Sequence, residues 1–306
     1  MKKKILISGN EVMGEAAIRA GCTFYAGYPI TPQNELIAYM AAQLPKRNGI
    51  FIQSESELAA INMVFGASAT GRRAMTSSSS PGISLKQEGI SYISGAQLPA
   101  VIINVMRAGP GLGNIWPAQS DYFQATKGGG HGDYHLIVLA PWSIQESFEL
   151  TKLSFELADR YRIAVMILSD GILGQMMEGL EFDDEEAIPR PVAKPWALTG
   201  AKDREPNIVQ SLYIKFGDVE KHNILLQKKY RKVASQEVRF DSRYCDDARV
   251  VIVAYGSMAR MAESAVESLR RQGKKVGLFR PITLWPFPKK QLEQLKNMLQ
   301  IKLLNI

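Results

Sequence analysis

Short apolar runs alternate with amphipathic stretches along the first ~180 residues of the chain. Each run is about as long as a buried strand, and the stretches between the runs repeat apolar residues at helical spacing. The runs are KILISGN, CTFYAGYP, GIFIQSE, RAMTSSSSPG, PAVIINVMR, HLIVLAP and IAVMILSDG. Apolar strands separated by helices are typical of a parallel sheet that is covered on both faces. The fold class predicted for residues 1–185 is therefore α/β, with a doubly wound parallel sheet.

The pattern changes over the rest of the chain. Residues 186–245 contain four prolines and many charges, which predicts an irregular excursion and linker with room for one helix. From Ala248 onward a strand, a glycine turn and a helix follow one another, and a further strand and helix come after them. Residues 246–306 are therefore predicted to form a second, smaller α/β domain.

The composition excludes several classes of protein. The 306 residues carry a net charge of +7, but the basic residues are spread along the chain, whereas nucleic-acid binders usually concentrate them. The densest basic stretch, residues 228–232, is interpreted as a solvated linker or helix face rather than a landing site for an acidic partner. Cys22 and Cys245 cannot supply the about four thiolates that an iron–sulfur cluster needs. The sequence has no signal h-region and no apolar run of membrane length, so we expect a cytoplasmic protein.

Candidate ligand-binding loops follow from the predicted sheet. In doubly wound sheets, ligands bind at the carboxyl ends of the strands. The loops at those ends cover residues 27–32, 53–57, 76–82 and 107–113.

The first of these loops holds Thr31 between two prolines. Ordinary loop chemistry explains it if Thr31 is the N-cap of the next helix and Pro32 is the first helical residue. The other interpretation is that the turn holds Thr31 and the backbone around it against a bound ligand. The residues alone leave both interpretations open.

The second loop carries two carboxylates, Glu55 and Glu57, where a strand ends and a helix begins. An acidic residue in a first helical turn stabilises the helix dipole by ~0.3–1 kcal/mol, which is a sufficient structural reason for either residue. Glu57 leads directly into the small residues Ala59 and Ala60, so its carboxylate is expected in a dry crevice.

Arg107 is predicted at a strand end, before a glycine-rich loop. There it can clamp a carboxylate or phosphate through two hydrogen bonds, or it can simply pair with a surface neighbour. The loop is not a dinucleotide-binding fingerprint, because its glycines have the wrong spacing and Pro110 and Pro117 interrupt the turn and the helix that would follow.

For two further groups of residues, a structural role is preferred to a ligand-binding role. The serine run Ser77–Ser80 could cradle a phosphate at a helix N-terminus, but helix-capping serines are preferred. His131 and His135 have the spacing of a metal-binding helix face, but three glycines before them argue against a helix, so no metal site is predicted.

The loops taken together resemble one family. The motifs are GYPITPQNEL, QSESELAAINMVFGAS, TSSSSPGISLKQEGISYISG, GPGLGNIWPAQSDYFQATKGGGHGD and FRPITLWPFP. In this order they are similar to the alpha subunit of thiamine-diphosphate-dependent 2-oxoacid:ferredoxin oxidoreductases, most of all to the type that acts on 3-methyl-2-oxobutanoate. The resemblance extends from Gly9 to about Pro288. It implies a thiamine pyrimidine-binding domain followed by a transketolase C-terminal-like domain.

The resemblance also implies a division of labour between subunits. This chain would hold the pyrimidine end of thiamine diphosphate, and a beta subunit would hold the diphosphate and its Mg²⁺. A gamma or delta subunit would carry [4Fe–4S] clusters that pass electrons to ferredoxin, and coenzyme A would take the acyl group. The chain would act in a hetero-oligomer, would be inactive without its partner subunits, and could form a homodimer in isolation.

The same resemblance assigns roles to individual residues. Glu57 is the expected catalytic residue, through a hydrogen bond to the pyrimidine ring nitrogen that favours the imino tautomer. Thr31 and Arg107 are the expected substrate-binding residues, and Pro29 and Ile30 of the same turn are expected to contact the cofactor.

Two alternatives accompany this interpretation. A self-contained thiamine-dependent lyase would need a diphosphate and magnesium motif of the G-D-G…N-N kind, which is not evident in the sequence. A non-catalytic binding subunit would not need Glu57, Thr31 and Arg107. Members of the family usually continue past the helix after Pro288, so we expect a truncated C-terminal domain.

Overall fold

The structure is a computed structural model that describes residues 2–183, 189, 192–299 and 304–305. The strands are β1 (Lys2–Ser8), β2 (Phe24–Gly27), β3 (Ile50–Gln53), β4 (Ala74–Ser78), β5 (Ala100–Met106), β6 (Ile137–Leu139), β7 (Ala164–Asp170), β8 (Met177–Asp183), β9 (Phe240–Arg243), β10 (Val250–Val253), β11 (Val276–Pro281), β12 (Thr283–Trp285) and β13 (Leu304–Asn305). The helices are α1 (Gly9–Arg19), α2 (Asn34–Gln43), α3 (Glu57–Ala69), α4 (Ser80–Gly95), α5 (Tyr122–Thr126), α6 (Ile144–Tyr161), α7 (Gly171–Gln175), α8 (Asp218–Gln236), α9 (Gly256–Arg271) and α10 (Lys289–Leu299), with a 3-10 turn at Pro45–Arg47.

The centre of the molecule is a seven-stranded sheet in the order β12-β6-β7-β5-β4-β2-β3. All neighbours are parallel except β12, which pairs antiparallel with β6 at one edge. The side chains of β5 and β7 are buried along their whole length, as both faces of a covered parallel strand require. The predicted doubly wound parallel α/β fold is confirmed.

Helices cover both faces of this sheet, and each face has its own apolar core. On one face, α1, α2 and α6 contribute residues such as Val12, Met40 and Phe148. On the other face, α3 and α4 contribute residues such as Ile61 and Ile90. The sheet is thus buried between two helical layers, and its loops are the exposed ends at which ligands can enter.

The first strand lies outside the central sheet. β1 was predicted as a member of the parallel sheet, but it pairs antiparallel with β8 in a separate two-stranded sheet, so that part of the prediction is wrong. Its side chains explain the difference, because Ile7 is buried whereas Lys4 and Leu6 are exposed. A strand that is buried on one side only belongs at an antiparallel surface rather than in the middle of a covered sheet.

The C-terminal part of the chain builds a second sheet in the order β13-β10-β11-β9. β9 lies within the segment 186–245 and pairs antiparallel with β11, and α8 of the same segment packs on the first core through Leu226, Tyr230 and Val233. The predicted boundary at residues 185 and 186 falls outside the described residues. No helix in the described part of the chain is long and apolar enough to cross a membrane.

Helices α3 and α4 approach each other closely at Gly89. A Cβ atom added there would lie 2.4 Å from Cγ2 of Ile61 on α3, so a side chain at this position must displace a buried neighbour. Gly66 on α3 is different, because a Cβ added there meets no atom within 4 Å.

The replacement Gly89→Ala should destabilise the chain by about 1–3 kcal/mol, because an overpacked helix contact outweighs the gain of about 1 kcal/mol in helix propensity. Gly66→Ala is the matched control and should be neutral or stabilising by up to about 1 kcal/mol. Urea-induced unfolding followed by circular dichroism measures both variants. Equal stabilities for the two variants would contradict the close approach of α3 and α4.

Candidate active site

The four candidate loops follow neighbouring strands of the central sheet. The order β5-β4-β2-β3 places the ends of these four strands side by side along one edge. Ser54, in the loop after β3, donates both its backbone N–H and its hydroxyl to the carbonyl of Gly27, at distances of 2.9 and 3.1 Å. This pair of bonds ties the loop after β3 to the loop after β2, so the loops form one surface.

Glu55 and Glu57 point in different directions because the helix begins between them. β3 ends at Gln53, Ser56 is the N-cap of α3 with its hydroxyl accepting from the Ala59 N–H, and Glu57 is the first helical residue. As a result Glu55 is exposed, whereas Glu57 is 6% exposed. Of the two carboxylates in this loop, only that of Glu57 lies inside the protein.

The Glu57 carboxylate lies against the first turn of α4. A Cβ atom at Gly82 would come within 2.6 Å of Glu57 Oε1 and 2.0 Å of Ser78 Oγ, so glycine is the residue that leaves room for both groups. The amino end of a helix carries partial positive charge, which favours a carboxylate at this place. Gly82 thus brings the Glu57 side chain to the helix end without a covering side chain between them.

Buried hydroxyls of β4 and of the residue that follows it lack hydrogen-bond partners. Within the described part of the chain, Thr76 Oγ1, Ser78 Oγ and Ser79 Oγ have none. Ser79 is the N-cap residue of α4, but its side chain does not cap the helix, so the expectation of a capping serine run is wrong for Ser79. Buried polar groups are usually hydrogen-bonded, so these hydroxyls mark a place where a polar ligand can supply the missing partners.

The Thr31 turn departs from the predicted capping arrangement. α2 begins at Asn34 and its N-cap is Gln33, so Thr31 is not the N-cap. Residues 30–33 instead form a turn in which the Gln33 N–H donates to the Ile30 carbonyl at 3.1 Å. The Thr31 side chain is therefore released from helix capping, and the Asn34 amide is 3.4 Å from its hydroxyl.

Hydrogen bonds from buried side chains support this turn on its interior side. Ser77 Oγ donates to Gln33 Oε1 at 2.6 Å, and the same Ser77 oxygen lies 2.6 Å from the Tyr25 hydroxyl. On the other side, Asn10 Nδ2 donates to the Pro32 carbonyl at 2.7 Å. Sequence reasoning missed Tyr25, Gln33 and Asn10, because only the assembled fold brings these three side chains together at the turn.

Arg107 and Thr31 are brought together by the fold. Arg107 is 8% exposed, and its guanidinium donates to the carbonyl oxygens of Thr31 at 3.0 Å and Leu112 at 3.1 Å. Its Nε is buried without a partner, and no carboxylate pairs with the guanidinium among the described residues. A buried cation with a free donor is suited to binding an anion.

The first turn of α4 connects the two halves of the site, one around Glu57 and the other around Arg107 and Thr31. Ser80 Oγ lies 3.0 Å from both the N–H and the carbonyl of Arg107, while Gly82 lies under Glu57.

The other candidate residues lie apart from these contacts. In the turn before α2, Pro29 is exposed and Ile30 is half-buried. The histidines are elsewhere: His135 stacks on Trp285 with ring centroids 4.6 Å apart, and His131 has its carbonyl bonded to Ser91.

Sequence reasoning also missed Lys86. This lysine of α4 is fully buried, and its amine is 3.5 Å from the backbone carbonyl of Glu57. A lysine in an amphipathic helix is usually exposed, so the sequence carries no signal that would have singled it out.

Comparison with known proteins identifies the class to which this chain belongs. The family described as pyruvate flavodoxin/ferredoxin oxidoreductase, thiamine diphosphate-binding, matches residues 15–241, and pyruvate:ferredoxin oxidoreductase core domain II matches residues 248–304. The chain therefore belongs to the pyruvate flavodoxin/ferredoxin oxidoreductase family. It is an alpha-type subunit of a 2-oxoacid:ferredoxin oxidoreductase, as the resemblance of its motifs had indicated.

Individual relatives make the comparison more specific. Ketoisovalerate oxidoreductase subunit VorB of Methanothermobacter thermautotrophicus is 51% identical over 95% of this chain and 83% of its own length. 2-Oxoglutarate synthase subunit KorA of Methanocaldococcus jannaschii is 36% identical over 95% of this chain and 85% of its own length.

Solved structures agree with the fold. A 2-oxoglutarate:ferredoxin oxidoreductase from Magnetococcus marinus with 2-oxoglutarate, coenzyme A and succinyl-CoA bound superposes with a TM-score of 0.88 at 27% identity, over 99% of this chain and 57% of that chain. A split-gene transketolase, solved as an inactive beta4 tetramer, has a TM-score of 0.57 at 14% identity over 98% of this chain and 79% of that chain, a likeness in fold alone.

The glycine at position 82 provides a test of the site. Gly82→Ala places a methyl group where the Glu57 carboxylate and Ser78 hydroxyl now lie, so the carboxylate must move. We expect affinity for thiamine diphosphate in the assembled complex to fall at least tenfold, measured by isothermal titration calorimetry. Gly66→Ala, which fills open space, is the control and should bind normally. Unchanged affinity in Gly82→Ala would show that the cofactor does not use this place.

Proposed function

We propose that this chain supplies the pyrimidine-binding half of an active site that oxidatively decarboxylates a 2-oxoacid, giving acyl-CoA and CO₂ with electrons passed to ferredoxin. The observation that carries the proposal is the buried Glu57 carboxylate, which lies over Gly82 and beside the Ser78 hydroxyl, a buried group without a hydrogen-bond partner. An aminopyrimidine offers the ring nitrogen and amino group that such a set of groups can bind. The residues present therefore fit the pyrimidine end of thiamine diphosphate.

Glu57 would act by holding a proton at the pyrimidine ring nitrogen. When bound, thiamine diphosphate supplies a carbon nucleophile for the 2-oxo group and an electron sink for the carbon that loses CO₂. The part of the protein is to set the tautomer and orientation of the cofactor, and a carboxylate fixed at a helix start is suited to this. Pro29 and Ile30, at the outer side of the neighbouring turn, would contact the cofactor from the other side.

Arg107 and Thr31 would bind the substrate. The guanidinium is buried and lacks a carboxylate partner among the residues described, so a 2-oxoacid carboxylate can complete its hydrogen bonds. Its bond to the Thr31 carbonyl fixes the turn on which the Thr31 hydroxyl stands. The hydroxyl, free of helix capping, can then donate to the substrate.

Partner subunits would complete the enzyme. Beside Arg107, the side chains of Leu112, Ile115 and Trp116 are 78%, 59% and 69% exposed, as expected of a surface that another subunit covers. We assign the diphosphate and its Mg²⁺ to a beta subunit. Both cysteines of this chain are buried and free, so [4Fe–4S] ligands would come from a gamma or delta subunit that reduces ferredoxin.

The proposed substrate is 3-methyl-2-oxobutanoate, and the proposed location is the cytoplasm. The support for the substrate is that identity with the ketoisovalerate subunit is 51%, against 34–40% with 2-oxoglutarate synthase subunits. Coenzyme A is the proposed acyl acceptor, since the related 2-oxoglutarate enzyme was solved with coenzyme A bound.

Glu57→Gln tests the catalytic assignment. The amide keeps the shape of the side chain but cannot exchange a proton with the ring nitrogen, so turnover should fall by about 10²–10⁴-fold with the complex still assembled. The matched control is Glu55→Gln, an exposed carboxylate two residues away, which should retain nearly full turnover. The reverse ranking of the two variants in a single-turnover assay would mean that the wrong carboxylate has been assigned.

A substrate panel tests the reaction itself. The chain is co-expressed with the products of neighbouring genes, and viologen reduction is followed with coenzyme A and branched, aromatic and dicarboxylic 2-oxoacids. We expect the highest kcat/KM with 3-methyl-2-oxobutanoate. A preference for 2-oxoglutarate would overturn the substrate, and no reduction with any 2-oxoacid by an assembled complex would overturn the proposed reaction.

A further inference from the structure

A lysine lies buried against the backbone of the residue that carries the proposed catalytic carboxylate. Lys86 is on α4, one turn after Gly82, and its side chain is 0% exposed. Its amine is 3.5 Å from the Glu57 carbonyl oxygen, at the first residue of α3. The same two helices that hold the carboxylate thus also bury a basic group against the residue that carries it.

Glu57 is the titratable residue nearest to this amine in the observed contacts. It is the group whose charge acts on Lys86 from α3. Strand β5, packed under α4, has the sequence AVIINVM and carries no titratable side chain, and Asp170, at the end of β7, is engaged with α7 and with Ser257. On α4 itself, Glu88 is bonded to the Tyr92 hydroxyl at the surface.

The environment makes this amine sensitive to pH near neutrality. Burial lowers the pKa of Lys86 to about 7, and the charge of Glu57 opposes that shift. An unperturbed lysine has a pKa of about 10.4 and is therefore charged at neutral pH. A group with this pKa loses its proton as the pH rises through about 7, and the neighbouring charge of Glu57 favours its protonated form.

We propose that Lys86 is a positioning residue for Glu57: its ammonium holds the first turn of α3 through the Glu57 carbonyl and compensates the negative charge of the carboxylate. The link to catalysis rests on the proposed function. There Glu57 would share one proton with the pyrimidine nitrogen, and the positive charge of the ammonium would stabilise the ionised carboxylate, so that the shared proton stays on the ring while Lys86 keeps its own. Loss of the Lys86 proton as pH rises removes this bias.

The first test measures the pair directly, without turnover. Only this chain is labelled with ¹³C at the lysine ε-carbons, the complex is assembled, and the Lys86 signal is assigned by its loss in Lys86→Met. We expect it to titrate near pH 7 and expect Glu57→Gln to lower the midpoint by about 1 pH unit, because the opposite charge is gone. Glu55→Gln, the exposed control, should leave the midpoint unchanged. A midpoint near pH 10, or no response to Glu57→Gln, overturns the proposal.

The second test separates charge from hydrogen bonding. Lys86→Met removes both, whereas Lys86→Gln can still donate to the Glu57 carbonyl. Both variants should lose about tenfold in kcat at pH 6.5, the factor equivalent to about one pKa unit, with the KM for the 2-oxoacid unchanged. We expect kcat of the wild type to decline as pH rises through about 7, and both variants should lose that decline. A wild-type rate and pH profile in Lys86→Gln overturns the charge role.

The two tests and the proposed function can fail separately. If Glu57→Gln keeps full turnover, the catalytic assignment fails, yet the Lys86 titration still reports whether the two groups are coupled. If Glu57→Gln loses turnover but leaves the Lys86 midpoint in place, the catalytic assignment stands and the Lys86 proposal fails.

Discussion

The close packing of α3 on α4 is the constraint on which the site depends. Gly82 lets the Glu57 carboxylate reach the amino end of α4, and Gly89 lets the two helices meet through Ile61. A larger residue at Gly82 would displace the carboxylate, and a larger residue at Gly89 would press against Ile61 and disturb the contact between the helices. The apolar core on this face of the sheet then fixes the distance between the helices, so the stability of the core and the geometry of the site have the same physical cause.

The second half of the site is held by polar groups rather than by apolar contact. Arg107 donates a hydrogen bond to the Thr31 carbonyl, and the buried hydrogen bond from Ser77 to Gln33 supports the same turn from the interior. The α4 amino end touches both halves, through Ser80 on Arg107 and Gly82 on Glu57. A substrate carboxylate at Arg107 and a cofactor ring at Glu57 would therefore be positioned by one helix end.

The fold could be predicted from the sequence because buried parallel strands leave a local signal. The strand at Lys2–Ser8 was misplaced because it is buried on one side only, which suits its antiparallel pairing with β8 outside the central sheet. The Thr31 cap was wrong because Gln33 turns its side chain inward, and the Ser79 hydroxyl was misread because capping is only one use of a serine before a helix. Glu57 and Arg107 were singled out from their positions at strand ends. Lys86 was not, since its burial arises only when α3 and α4 pack.

The most direct measurement is the structure of the assembled complex with thiamine diphosphate bound. The account predicts that a Glu57 carboxylate oxygen lies within about 2.6–3.2 Å of the pyrimidine ring nitrogen, with the ring beside Ser78 and Ser79. A complex in which Glu57 faces solvent, or in which the pyrimidine contacts Glu55 or another loop, would contradict it.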